Sequence, residues 1–249
     1  MEIQRIDFEK YGEEIKINSD HYIDNYPSLD GKYKLHLDYV GEYPHGDSWH
    51  HGKIEEVDSG KIIWEYKKGD PIRGLIKYPW SADSKSCYFT IINLGDRILQ
   101  YDIITGKLKT IFGSKVQNKL KGIGFVPRNF NGLVFYDNAH DHVKQLDIYC
   151  YLSDTETYIK INDEITDDRF LISECGIRNC VVLVCQNYIK IYDTLQRRVV
   201  EQLPVDNVDL KDYKRGYAHY LHKTDKIYFC LLKANDWRYY KLHYRKQSA

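Results

Sequence analysis

The sequence predicts an all-β protein of the five-bladed β-propeller class, with four antiparallel strands in each blade. Five apolar, strand-like runs start 53, 47, 47 and 47 residues apart along the 249-residue chain. Each run follows a short segment of turn-forming residues, which mark the ends of strands. A second set of turns recurs in phase with the first. Because both sets of turns recur at the same spacing, they indicate one supersecondary unit that is repeated along the chain.

The five runs are interpreted as strand B, the second strand of each blade. In two of them, at Val181–Cys185 and Ile227–Leu232, the residues hardly alternate between apolar and polar types, which is typical of a strand buried on both faces. In a propeller, such a strand lies between the two neighbouring blades. The predicted B strands are Tyr33–Tyr39, Ser86–Ile92, Leu133–Asn138, Cys180–Gln186 and Ile227–Lys233.

The second set of turns separates strands C and D. An Asp residue ends each predicted C strand at Tyr101-Asp102, Leu146-Asp147 and Tyr192-Asp193. Gly-containing turns then lead into a last strand, because glycine readily takes the positive φ that such turns require. The predicted D strands include Lys61–Tyr66, Leu108–Phe112 and Arg198–Leu203.

These motifs resemble those of the WD-repeat propellers. The segment Pro79-Trp80-Ser81-Ala82-Asp83-Ser84-Lys85 is similar to the family's hydrophobic-Ser-Pro-Asp-Gly-Lys turn. The pairs Tyr101-Asp102 and Tyr192-Asp193 are similar to its aromatic-Asp strand end. The chain has neither the family's Gly-His pair at blade starts nor its Trp-Asp dipeptide. The resemblance therefore implies the architecture and no particular activity.

The repeat predicts a single domain over residues 1–249 whose fifth blade lacks strand D. We expect an N-terminal strand within residues 1–19, at Glu14–Asn18 or at Ile3–Phe8, to complete that blade and close the ring. Closure removes an exposed strand edge, which would otherwise pair with other chains. A β-sandwich or an open meander is the alternative fold. The predicted blades are 20–66, 72–112, 119–161, 167–203 and 213–246.

Composition sets limits on the partners. Thirty-six basic residues balance thirty-six acidic ones, so the net charge provides no field that attracts nucleic acid or an anionic membrane. The first residues do not form a secretory signal, and no apolar run reaches the roughly 18 residues that span a bilayer. The six cysteines form no CxxC pair and are interpreted as small buried hydrophobes in a reducing compartment. We expect a cytoplasmic protein without nucleic-acid or membrane partners and without a cofactor.

The B–C and D–A connections of an up-and-down meander lie on one face, and loops on a rigid scaffold often carry binding sites. Two interpretations remain open for this face. Tryptophan on loops favours a surface that binds a protein partner, whereas imidazole and carboxylate groups suit a transition metal. We prefer the protein partner and assign no metal. The candidate residues are Trp49, His50, His140, His142 and Trp237, within the predicted loops Gly41–Gly52, Asp137–His142 and Lys233–Arg238.

A basic or potentially basic residue lies 11 to 13 positions before each B strand. In a propeller these positions belong to strand A, next to the central channel. Convergent guanidinium groups there would bind a phosphate or a carboxylate. The preferred alternative is neutralisation by the acids that precede them, Asp20, Asp70, Asp168 and Asp212. The basic residues are His21 and the candidate anion ligands Arg73, Lys121, Arg169 and Arg215.

The sequence therefore predicts a non-enzymatic, protein-binding propeller, such as a stoichiometric inhibitor or an immunity-type protein. The alternative is a small-molecule anion-binding or hydrolytic site at the mouth of the channel. The sequence contains no Gly-x-Ser-x-Gly elbow, Walker loop or His-Glu-x-x-His motif. A glycoside hydrolase would have to use Asp24, Asp70 and Asp168. Neighbouring basic residues favour the ionised form of these carboxylates, which does not suit a general acid.

Overall fold

A computed structural model shows a chain built almost entirely of antiparallel β-strands. It describes residues 1–18, 25–42, 48–66, 72–73, 78–91, 97–112, 121–137, 147–161, 165, 170–205, 210–211 and 213–243. The chain divides into two compact units. We call Tyr22–Asp141 with Leu146–Lys160 the central unit, and Met1–His21, His142–Gln145 and Ile161–Ala249 the terminal unit.

Nearly all elements are short strands, with a helix after the first of them. The first half of the chain contains β1 (Glu2–Ile6), α1 (Phe8–Asn18), β2 (Asn25–Pro27), β3 (Tyr33–Glu42), β4 (Ser48–Glu56), β5 (Lys61–Tyr66), β6 (Ile72–Arg73), β7 (Ser86–Ile91), β8 (Arg97–Asp102) and β9 (Lys107–Phe112). Those that follow are β10 (Lys121–Phe125), β11 (Gly132–Asp137), β12 (Asp147–Leu152), β13 (Thr157–Lys160), β14 (Phe170–Glu174), β15 (Cys180–Cys185), β16 (Tyr188–Asp193), β17 (Arg198–Pro204), β18 (Arg215–Leu221), β19 (Lys226–Lys233) and β20 (Asp236–His243).

Successive strands pair with one another in sets of four, as the predicted meander requires. In the central unit these sets are β2–β5, β6–β9 and β10–β13. The first two sets join into one sheet, because the start of β4 also pairs with β6 through Trp49 and Arg73. In the terminal unit, β14–β17 form one sheet. The other has the strand order β1-β20-β19-β18, and we call it the last sheet.

The predicted B strands agree with β3, β7, β11, β15 and β19 to within a few residues at each end. Every residue of β7 and of β15 is buried, which confirms that these strands are covered on both faces. All six cysteines are buried too, as expected of small hydrophobes.

The N-terminal residues confirm one of the two expected strands and correct the other. Glu2–Ile6 forms β1 and pairs antiparallel with β20 as the fourth strand of the last sheet. The expectation of a strand at Glu14–Asn18 is wrong, because these residues belong to α1. Asp7 begins this helix as an N-cap, since its Oδ1 accepts a hydrogen bond of 2.7 Å from the Lys10 amide.

Side-chain hydrogen bonds fix the turns that precede the B strands. Asp83 Oδ1 accepts hydrogen bonds from Ser81 Oγ at 2.7 Å and from the Lys85 amide at 3.1 Å. Ser28 and Asp30 make the equivalent bond in the turn before β3, also at 2.7 Å. The segment that resembles the WD-repeat turn is therefore a turn in which an aspartate satisfies local donors.

Further hydrogen bonds connect the turns of successive repeats in the central unit. The Asp30 amide donates to Ser84 Oγ at 3.1 Å, and the Asp83 amide donates to Asn131 Oδ1 at 3.0 Å. Asn131 in turn donates through Nδ2 to Asp154 Oδ1 at 3.1 Å. A residue of one repeat thus completes the turn of the repeat before it.

The absence of a side chain at Gly216 allows close packing between the two sheets of the terminal unit. A Cβ atom at Gly216 would lie 2.8 Å from Leu171 Cδ1 and 2.8 Å from Leu231 Cδ2. Leu171 lies in β14 and Gly216 in β18, so the first strands of the two sheets approach each other here. Glycine in a strand interior is typical of such a close approach of neighbouring chain segments.

Replacing Asn131 with alanine tests the bonds between repeats. Asn131→Ala removes the acceptor of the Asp83 amide, and we expect it to lower the free energy of unfolding by about 1 kcal/mol. The melting temperature should fall by about 2–4 °C. Thr155→Ala, at an exposed position in the turn between β12 and β13, is the control. Equal melting temperatures for the two variants would contradict a stabilising role for this bond.

Candidate functional site

The structure corrects the predicted loop that carries Trp49 and His50. The hairpin pairing continues past a bulge between Tyr39 and Gly41, so that β4 already begins at Ser48. Trp49 and His50 therefore lie in a strand. The first repeat is longer than the others, and its additional residues lengthen β3 and β4. The backbone groups of these residues pair with each other, whereas in a loop they would bond with water.

Of the candidate histidines His50, His140 and His142, the structure describes the side chain of His50. Its ring lies 5.9 Å from that of Tyr39 in an edge-to-face contact, and Tyr39 is 61% exposed. Within the described residues, the buried Nδ1 atom of His50 has no hydrogen-bond partner. His140 and His142 lie outside the described residues.

Trp237 also lies in a strand and not in a loop. The connection between β19 and β20 is a two-residue turn in which Ala234 and Asn235 have φ values of 46° and 68°. Positive φ at both central residues is the mark of a type I′ turn, whose twist suits a tight hairpin. The predicted loop Lys233–Arg238 is thus a hairpin turn, and Trp237 projects from a sheet.

The structure describes the four candidate anion ligands, Arg73, Lys121, Arg169 and Arg215, only in part. The backbone of Lys121 begins β10, that of Arg215 begins β18, and Arg73 lies in β6. The side chains of these three residues, and the whole of Arg169, lie outside the described part of the chain. The anion site formed by these residues therefore stays a prediction. The described residues contain no group of three or more His, Cys, Asp or Glu side chains that could hold a metal ion.

The described residue that best fits the predicted protein-binding role is Trp237, which belongs to an aromatic surface. The Trp237 ring stacks on Tyr217 with a centroid distance of 5.8 Å and an interplanar angle of 23°. These rings come from β20 and β18, so they meet above β19, and Tyr217 is 49% exposed. Tyr239 shares their face of the last sheet, because alternate residues of a strand point the same way.

Helix α1 covers part of the same face. Tyr11 packs on Tyr239 at 4.7 Å and on Tyr228 at 6.4 Å between ring centroids. Phe8, at the start of the helix, lies 5.5 Å from the Tyr239 ring and is 66% exposed. We call Phe8, Tyr217, Trp237 and Tyr239 the aromatic shelf.

A hydrogen bond joins Tyr11 of α1 to Cys230 of β19, in the sheet that the helix covers. The Tyr11 hydroxyl donates to Cys230 Sγ at 3.8 Å. Burial raises the pKa of the Tyr11 hydroxyl far above its usual value, and the nearby thiol acts in the same direction. Burial also raises the pKa of the Cys230 thiol. Both groups therefore stay neutral at physiological pH, and this contact involves no charge.

Sequence reasoning selected Trp237 but missed the other members of the shelf. The alternation of Trp237 and Tyr239 could have shown that both side chains lie on one face of a strand. The spacing of Phe8, Tyr11 and Ile15 at i, i+3 and i+7 could have shown one face of a helix.

Comparison with known proteins gives the fold alone. No protein-family model matches the chain, and no curated protein matches it. Oligogalacturonate lyase in complex with manganese is similar with a TM-score of 0.52 and 9% identity, over 90% of this chain and 65% of that one. Porphyromonas gingivalis dipeptidyl peptidase 4 is similar with a TM-score of 0.50 and 12% identity, over 90% and 39%. The chain thus spans less than two thirds of either protein.

The solved structures to which the chain is similar include β-propellers. One is the β-propeller domain of the trilobed protease from Pyrococcus furiosus, with a TM-score of 0.46 and 16% identity over 88% of this chain and 67% of that domain. At identities this low, none of these likenesses bears on activity or partners.

No helix among the described residues is long and apolar enough to cross a membrane.

Tyr228 provides a test of the packing under α1. Its hydroxyl is buried and has no hydrogen-bond partner within the described residues. A buried polar group without a partner costs about 1–3 kcal/mol, so we expect Tyr228→Phe to raise the free energy of unfolding by about 1 kcal/mol. Tyr220→Phe in the same sheet is the matched control, because the Tyr220 hydroxyl donates to Asp225 Oδ1 at 2.6 Å. Urea unfolding should give opposite signs, and a loss of stability in Tyr228→Phe would contradict this interpretation.

Proposed function

We propose that the chain is a five-bladed β-propeller that binds a protein partner through the aromatic shelf. It acts by binding alone, in the manner of a stoichiometric inhibitor or an immunity-type protein. The single observation that carries the proposal is the stacking of Trp237 on Tyr217, whose ring is 49% exposed on the last sheet.

Three properties of the shelf support a binding role. First, Tyr and Trp give a large contact area and have few rotatable bonds, which makes them common anchors of interfaces. Second, Tyr217, Trp237 and Tyr239 project from paired strands, so little conformational entropy is lost when a partner binds. Third, the type I′ turn at Ala234 and Asn235 fixes the end of the hairpin beside Trp237.

The five-bladed ring is supported by the strand sets. The strands of the described residues form five sets of four, and the last set is complete because β1 pairs with β20. Joining the N-terminal strand to the C-terminal set is a common way for a propeller to protect its edges. A crystal structure with another number of blades, or with two separate units, would contradict this part of the proposal.

Affinity capture tests the binding role. The wild-type chain, immobilised and exposed to lysate of its source, should retain a stoichiometric protein that mass spectrometry identifies. Trp237→Ala and Tyr217→Ala should each weaken this binding by about thirtyfold, because a buried aromatic anchor contributes about 2 kcal/mol or more. Leu195→Ala is the control, since Leu195 is 55% exposed in the turn between β16 and β17. Capture that is unchanged in both aromatic variants, with native circular dichroism, would rule out the shelf as the binding surface.

The anion-binding alternative remains a second proposal, supported by the positions of Lys121 and Arg215 at the starts of β10 and β18. It requires that inorganic phosphate raise the melting temperature of the chain. Arg215→Gln should then abolish the shift. A melting temperature independent of phosphate would count against this site.

A further inference from the structure

We propose that the face of the last sheet under α1 is a groove for an amphipathic helix of the partner, and that α1 is a displaceable occupant of this groove. This inference rests on the proposed function, because it extends the aromatic shelf into the surface that the partner covers. The structure itself shows which helix chemistry the groove accepts.

The contacts of α1 define that chemistry. Phe8 and Tyr11 pack on the Tyr239 ring, and Ile15 packs in the cluster that contains Tyr228. These helix residues are spaced i, i+3 and i+7, which places them on one face. The groove therefore accepts two aromatic residues and one aliphatic residue at this spacing, in the helix-in-groove mode of recognition.

A charge adds specificity to the same face. Lys241 Nζ lies 3.5 Å from Glu14 Oε1, and the Lys241 side chain is only 12% exposed. A lysine this sheltered favours a carboxylate in the helix above it, because an unpaired charge would be costly there. The expected ligand is thus a helix with an acidic residue six positions after its first aromatic one.

The groove extends beyond the N-terminus of α1, at Phe8. The contacts of the helix move from Tyr239 at Phe8 to Lys241 at Glu14, so α1 runs along β20. In the other direction, beyond Phe8, β20 leads to Trp237 and its stacking partner Tyr217. Two strand residues span about 6.8 Å and one helical turn about 5.4 Å. A partner helix about one to two turns longer than α1 would therefore cover the groove together with Tyr217 and Trp237.

Three features make α1 easy to displace. It has 11 residues, and helices shorter than about 12 residues are marginal by themselves. It contains Gly12, which weakens a helix, and a Cβ atom added there would meet no described atom within 4 Å. It leaves Phe8 largely exposed and the buried Tyr228 hydroxyl without a partner in the described part of the chain.

A peptide-binding measurement on the full chain tests the inference. The probe is a fluorescein-labelled peptide with the sequence of residues 7–18, and the readout is fluorescence anisotropy. Tyr11→Ala in the chain removes the central contact of α1 and should strengthen peptide binding at least tenfold over wild type. Gly12→Ala should stabilise α1 and weaken peptide binding about fivefold, since alanine is favoured over glycine by about 1 kcal/mol in a helix.

A charge exchange tests the position of the peptide. In the Tyr11→Ala chain, Lys241→Glu should weaken the peptide at least fivefold. A peptide carrying Glu14→Lys should restore the affinity. Unchanged affinity in the Tyr11→Ala and Gly12→Ala chains, or no recovery with the exchanged peptide, would overturn the inference. If Tyr11→Ala does not fold, as judged by circular dichroism, Gly12→Ala supplies the same test with the opposite sign.

Two further outcomes separate this inference from the proposed function. If the peptide fails to bind while Trp237→Ala still loses the captured partner, the shelf binds a protein but the helical ligand is wrong. If Tyr11→Ala forms a dimer in analytical ultracentrifugation, the groove takes α1 of a second copy, and the inference of a helix from a different protein is overturned.

Discussion

The last sheet has apolar residues on both faces, and the rest of the terminal unit is arranged to cover them. On one face, Phe229 and Tyr240 stack at 5.0 Å and belong to the core shared with β15 and β16. On the other face, the alternate residues Tyr228, Cys230 and Tyr239 need a different cover. A sheet must bury an apolar face against another element, and here part of that element is α1.

Helix α1 covers only part of this face of the last sheet. The covered part contributes to stability, and the uncovered part is available for binding. Near the β18–β19 turn, α1 buries Tyr228 with Ile6 and Leu221. Towards the β19–β20 turn, Tyr217 remains half exposed against Trp237. The first region resembles a core, while the second is the type of exposed aromatic surface that marks interaction sites. One strand, β20, carries residues of both regions, so that a partner bound at Trp237 would also meet the helix.

The sequence predicts the fold best where local chemistry and tertiary packing agree. Cys180–Gln186 is apolar throughout most of its length, and a strand in the middle of a sheet buries Cys180–Cys185 completely. The Ser-x-Asp pattern at Ser81 and Asp83 forms its turn through bonds between neighbouring residues, and such patterns are readable without a structure. These signals give the repeat and its phase.

The predictions are wrong where the sequence is compatible with two local structures. These are a helix or a strand in residues 8–18, and a long loop or a tight turn at Ala234. In residues 8–18, apolar side chains at positions 8, 11 and 15 fit a helix, whereas Ile15 and Ile17 alternate with polar residues as in a strand. The N-cap at Asp7 and the packing of Tyr11 on Tyr228 decide for the helix. Likewise, Ala234 is a poor marker of positive φ, so sequence alone favours a longer loop than the type I′ turn that forms.

The same competition bears on the groove. A segment whose sequence supports both a helix and a strand has a small intrinsic preference for either, so tertiary contacts must hold it in place. For α1 the described contacts include the packing of Ile15 against the Tyr228 cluster, the pairing of Glu14 with Lys241 and the neutral hydrogen bond from Tyr11 to Cys230. Because that bond involves no charge, another helix with a tyrosine at the same position would make it equally well. A partner helix that also satisfies the Tyr228 hydroxyl would gain an interaction that α1 lacks, and the exchange would then be favoured by burial and by hydrogen bonding together.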